Sequence, residues 1–131
     1  MTQEDKELLL ADLCARLPYK VMIYRGEKDY IGEDDALLEG IDVISGLCKL
    51  RCLPEGTVFV QEHISNILPF LRPMSSITEE EKTELWELLR KLGMTADVKR
   101  LDWLNKKMFD YRGLIPKGLA LEALEGMYNA K

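Results

Sequence analysis

Leu9, Leu13 and Leu17 recur at i, i+4 and i+8, with Leu10 and Cys14 beside them. That spacing is the apolar stripe of one amphipathic helix over residues 3–17. Thr2 stands at its N-cap, Asp5 in the first turn suits the positive end of the helix dipole, and Pro18 stops it. Val21–Tyr24 then reads as a short strand and residues 25–29 as a turn. Residues 36–53 carry two periods at once. Cys48, Leu50 and Cys52 alternate with Lys49 and Arg51, whereas Leu37, Ile41, Ile44 and Cys48 also fit a helix. Gly40 and the β-branched Ile41, Val43 and Ile44 decide for strands, with Ser45-Gly46 as a hairpin turn. Leu53-Pro54-Glu55-Gly56 suits a type I turn, and Thr57–Val60 is a third β-rich run.

Two prolines four apart, Pro69 and Pro73, argue against a helix or a central strand over 67–73. That stretch is expected to be an extended apolar crossover leaving the sheet. Thr78 and Glu81 form a capping box for a helix over 79–92, with Leu85, Leu88, Leu89 and Leu92 as its stripe and Gly93 as its stop. Thr95 is placed to cap a third helix over 96–109. Gly113, Pro116 and Gly118 break the tail, and Leu119–Ala123 fits a final strand or a helical turn.

The expected fold class is α+β, with a small antiparallel sheet flanked by an N-terminal helix and a C-terminal helical hairpin. Residues 1–131 form a single domain, of which 1–75 are a helix plus a β-rich part and 76–131 are mainly helical. The strand spacing also suits a small SH3-like barrel.

Composition narrows the function classes. The chain has 131 residues, 47% hydrophobic and 31% charged, the balance of a folded domain and not of a disordered one. No apolar run approaches a membrane span, and the acidic start is unlike a signal peptide, so a cytoplasmic protein is expected, with no membrane partner. The net charge of -5 arises in residues 1–75, which carry 13 acids and 8 bases, whereas residues 76–131 carry 10 of each. A globally basic nucleic-acid binder is excluded. Cys14, Cys48 and Cys52 fit buried thiols better than a disulfide or zinc framework, and no metal or cofactor is expected.

Catalytic motifs are sparse. His63 is the one histidine and reads as a surface or capping residue; Gly26, Gly32 and Gly40 build no phosphate loop. Glu33-Asp34-Asp35 and Glu79-Glu80-Glu81 are acidic runs whose side chains diverge, and a cation needs converging oxygens. The third helix carries more. At 100° per residue, Val98, Leu101, Leu104, Asn105 and Met108 share one face, expected to be the buried one. Trp103 then points outward, with Lys99, Arg100, Lys106 and Lys107 around it. An aromatic among cations suits a protein partner anchored on Trp, or bases stacked over a phosphate backbone. Alternatively residues 110–131 fold over this face and bury the ring. In the turn that follows, Arg112 is placed to pair with Asp110 or to reach the helix's last carbonyls, with Gly113 at positive φ; Tyr111 with Arg112 could recognise a carboxylate or phosphate.

Three stretches taken together resemble a known family: Asp12–Tyr19, Leu71–Glu81, and Asp102–Asn105 running on to Phe109–Ile115 and Gly118–Ala123. The family comprises short uncharacterised proteins of gut Bacteroidetes and their phage-like or mobile elements. The resemblance covers about half the chain and implies an α+β protein with a variable β-rich middle. It implies no activity. Lys107 and Met108 stand where the family pattern has histidines, and Leu124 where it has proline, so no histidine-based site carries over. The expected function is that of a non-enzymatic cytoplasmic interaction or accessory protein binding a protein partner. It would use Lys99, Arg100, Trp103, Lys106, Lys107, Asp110, Tyr111 and Arg112. The alternative is a small nucleic-acid-binding module of a phage or mobile element using the same residues, and an enzyme ranks third.

Overall fold

A computed structural model of the protein describes residues 1–24, 36–52, 58–124 and 126–128. The expected turns at 25–29 and 53–56 and the acidic run at 33–35 lie outside the described residues. The first helix, α1 (Gln3–Arg16), begins where the Thr2 hydroxyl accepts the Asp5 N–H. After a 3-10 turn at Leu17–Tyr19 come β1 (Met22–Tyr24), β2 (Ala36–Asp42), β3 (Leu47–Cys52), β4 (Val58–His63) and β5 (Leu68–Leu71). Two helices follow, α2 (Glu79–Leu92) and α3 (Ala96–Lys106), and then a two-residue strand β6 (Leu121–Glu122). The protein is α+β, with a sheet ordered β4-β3-β2-β1-β5-β6 that curls into a half-barrel. All pairs are antiparallel except β5 with β6.

The run at 36–52 is a hairpin, not a helix. Asp42 accepts the N–H groups of Ile44 and Ser45 through its carboxylate, and Gly46 closes the turn at φ +78. A Cβ at Gly46 would stand 3.0 Å from the His63 ring, so glycine is required twice over, by φ and by space. A bulge at Glu39 shifts the register between Leu38 and Gly40. It turns Ala36, Leu38 and then Ile41 toward the interior, and the added local twist favours the sheet's curl. α1 lays Leu9 and Leu13 against Ile23, Leu38, Cys48 and Leu50 in the main core, and Ile64, Ile67 and Leu71 complete it.

Residues 67–73 do not leave the sheet as expected; Leu68–Leu71 is a strand between β1 and β6. Pro69 is tolerated because it pairs with Ile23 on the β1 side, while β6 pairs only with Phe70 and Leu71. Its missing N–H therefore costs no ladder bond on the β6 side. Tyr128 from the tail completes this region: its hydroxyl accepts the Met22 N–H at 2.7 Å and donates to the Phe70 carbonyl at 2.8 Å. Cys14 is exposed, because α1 buries Leu9, Asp12, Leu13 and Arg16 and Cys14 falls to one side of that stripe. Cys48 is buried, and burial pushes its thiol up to about 11.

The capping box opens α2 as read, with Thr78 and Glu81 satisfying each other's backbone N–H groups. α3 ends earlier than expected, at Lys106, and Thr95 supplies no side-chain cap to it. Between the hairpin and the sheet lies a second, smaller core of Trp103, Leu104 and Phe109, with Ile77, Leu85, Leu88 and Tyr111 packed against it.

Candidate functional site

Of the five residues whose periodicity suggests a buried face, Leu104, Asn105 and Met108 are buried and Val98 and Leu101 are not. Trp103, Leu104 and Asn105 are buried in succession at its C-terminal end, whereas Val98 and Leu101 are exposed. Trp103 and Leu104 meet Phe109, Ile77 and α2's Leu85 and Leu88, whereas Val98 and Leu101 belong to neither core. Trp103 is therefore not an outward anchor. Only 7% of it is exposed, and its ring stacks on Phe109 at 5.8 Å and 17°. Burial was the covered alternative above, but the cover comes mainly from Phe109 and α2's flank, with Tyr111 contributed by the tail. Lys107 is half-buried over the Trp103 ring, with its Nζ 3.4 Å from Glu84. Lys99, Arg100 and Lys106 are exposed as expected, and Arg100 lies 3.6 Å from Asp97.

The Asp110–Arg112 turn belongs to the fold's interior. The Asp110 carboxylate accepts the N–H groups of Leu114 and Ile115, so it does not pair with Arg112. Arg112 instead places its Nε 3.2 Å from Asp12, and Gly113 takes φ +78 as expected. Asp12 and Arg16 are both fully buried and joined by two hydrogen bonds, of 2.8 and 3.1 Å; Arg16 also donates to the Phe109 carbonyl at 2.6 Å. Both guanidinium groups stand over the Tyr111 ring, at 5.3 Å for Arg16 and 5.1 Å for Arg112. The Tyr111 hydroxyl donates to Asn105 at 2.8 Å. The pattern that could have revealed the pair is an acid four residues before a base, both beside the leucines of α1.

On its other side Phe109 meets Arg72, whose guanidinium lies 4.1 Å from the ring centroid and grips Glu81 through two 2.7 Å bonds. That grip holds the Glu81 carboxyl down to about 2 from an ordinary 4.5. Because the folded-state value is the lower one, the ionised pair favours the folded protein. The contribution is complete above about pH 4.5 and is lost as pH falls toward 2. Glu81→Gln is accordingly expected to lower the urea midpoint at pH 7, with the gap to wild type closing by pH 2.

Beside this pair a polar cleft of about 500 Å³ is lined by Arg72, Thr78, Glu80, Glu84, Lys107 and Tyr128, among others. Its two cations are already neutralised by Glu81 and Glu84, so it offers an anion little. His63 caps a 3-10 turn, its Nδ1 accepting the Ser65 N–H. Among the described residues no group of three metal-ligating side chains converges, and no helix is long and apolar enough to cross a membrane.

The open surface of the hairpin lies elsewhere. Trp86 of α2 is 66% exposed, Met94 at the tip wholly so, and Val98 and Leu101 of α3 are exposed too. Residues 90–101 add four bases, Arg90, Lys91, Lys99 and Arg100, against one acid, Asp97. Sequence reasoning passed over Trp86, although it falls 110° from the centre of α2's leucine stripe, a sufficient sign that it faces out.

Comparison with known proteins adds no family: no family model matches the chain, and no match is found among the curated proteins or the solved structures.

Proposed function

We propose that the protein is a non-enzymatic cytoplasmic interaction protein whose partner is an acidic protein surface, and that the α2–α3 hairpin is the element that binds it. The observation that carries the reading is the exposure of Trp86, Met94, Val98 and Leu101 on one helical hairpin with a basic tip. Exposed apolar side chains rimmed by charge mark contact surfaces, and Trp and Arg supply most binding hot spots. The anchor thus moves from Trp103 to Trp86, while Lys99, Arg100 and Lys106 keep the role of a polar rim. A nucleic-acid reading loses its stacking ring with Trp103 buried, and the protein's net negative charge opposes a long polyanion.

The three stretches that resemble proteins of Bacteroidetes mobile elements meet through Arg16 and Arg72, which both contact Phe109, and through Arg112, which reaches Asp12. In this proposal, what they share with that family is the joint between hairpin and sheet. The test places a photoreactive phenylalanine analogue at position 86 and irradiates it in host extract. A discrete crosslinked protein is expected, and the purified partner should bind Trp86→Ala at least tenfold more weakly. No crosslink beyond that from a control at exposed Lys117 would remove the reading.

A further inference from the structure

The sheet has an outer face opposite the one that packs on α1. Residues directly opposite each other on neighbouring strands share a face, and the pairs Met22–Leu37, Leu37–Arg51 and Arg51–Phe59 run across four strands. Their sequence neighbours Ile23, Leu38 and Leu50 are buried in the main core, so this row faces away from it. Tyr24, two residues from Met22, and Lys49, two from Arg51, belong to the same face. Tyr24 is 41% exposed and Phe59 44%, and Lys49 is exposed too. β1 and β4 stand three strand spacings apart, about 14 Å, with the two rings on them.

Cations gather between these rings. Lys49 Nζ lies 4.6 Å from the Phe59 ring centroid and the Arg51 guanidinium 5.0 Å. Arg51 also donates to Glu39 through two hydrogen bonds, of 3.1 and 3.3 Å. That grip holds the Glu39 carboxyl below the usual carboxylate range, and the charges of Lys20 and Lys49 add to it. Three cations thus surround one carboxylate. Asp42, farther along β2, spends its carboxylate on the N–H groups of the β2–β3 turn. The patch is therefore locally positive on a chain whose net charge is -5.

We infer that this outer face binds a short single-stranded nucleic acid, with bases stacked on Phe59 and Tyr24 and phosphates on Lys20, Lys49 and Arg51. Aromatic rings take bases of any sequence, and cations beside the rings take the backbone. Lys49 is an exposed side chain lying over Phe59, so a base that stacks there displaces its ammonium toward the adjoining phosphate. The rings stand on different strands, so the ligand crosses the sheet. It is short because the negative charge of the rest of the chain opposes a polyanion that extends beyond the patch. An acidic peptide would meet the cations, but its backbone offers the rings no planar face to stack on. The stacking rings that Trp103 does not supply are present here, on a surface distinct from the hairpin.

Fluorescence anisotropy of a labelled single strand of about ten nucleotides, titrated with the full chain, tests this. Micromolar binding is expected at low salt, and two or three phosphate contacts lower it about tenfold between about 50 and 200 mM salt. Phe59→Ala should weaken binding about tenfold or more. Lys49→Gln, at an exposed position, should weaken it and flatten the salt dependence, with a circular dichroism spectrum like that of wild type. Trp86→Ala should bind as wild type does, which separates this face from the hairpin surface. No binding at low salt, binding indifferent to both Phe59→Ala and Lys49→Gln, equal binding of a labelled polyglutamate peptide, or binding lost in Trp86→Ala would each overturn the inference.

Discussion

Asp12→Ala is expected to destabilise the protein by about 3–5 kcal/mol, the cost of removing one member of a buried ion pair. Arg16 is fully buried, and Asp12 is the carboxylate on which both Arg16 and Arg112 converge. Without it two guanidinium groups crowd an interior that has already desolvated one of them. Single domains are stable by only about 5–15 kcal/mol, so the variant loses a large share of the total. Urea denaturation followed by far-ultraviolet circular dichroism measures the change. A loss below about 1 kcal/mol, the range of surface pairs, would mean that water reaches the pair.

The second large effect separates the two tryptophans. Trp103→Ala should cost about 3–5 kcal/mol, because it empties a buried site against Phe109, Leu85 and Leu88. Trp86→Ala, at an exposed position, should stay within about 0.5 kcal/mol of wild type. Fluorescence gives an independent check. Iodide should quench the Trp103→Phe protein, which reports Trp86, and leave the Trp86→Phe protein nearly untouched. The reverse pattern would exchange the roles of the two rings.

The tryptophans also show where the sequence is legible and where it stops. Helix starts were readable because capping is local chemistry: Thr2 with Asp5 and Thr78 with Glu81 each need only three residues of context. β3 was readable because its alternation is intact, whereas β2 fits neither period well. The bulge at Glu39 inserts one residue between Leu38 and Ile41 and mimics helical spacing. Pro69 misled because exclusion from a central strand holds bond by bond, and the short β6 ladder spares that position. For α3, periodicity gives a direction around the helix but not which of its turns find a partner to pack on. Val98 and Leu101 share an angle with buried residues, yet nothing among the described residues packs over them and they are exposed. The expected site suffered accordingly. Lys99, Arg100 and Lys106 are on the surface, while Trp103, Asp110, Tyr111 and Arg112 help build the interior through contacts with distant residues that no local pattern encodes.

The bond from Arg16 to the Phe109 carbonyl spans 93 residues of chain. A ribosome adds roughly 5–20 residues per second, so Arg16 is made about 5–20 seconds before Phe109. During that interval Arg16 has Asp12 but not the Phe109 carbonyl, and Arg112 is not yet there to reach Asp12. A polypeptide released before Phe109 can still lay Leu9 and Leu13 on β1–β3, but it leaves Arg16 without the Phe109 carbonyl and Asp12 without Arg112.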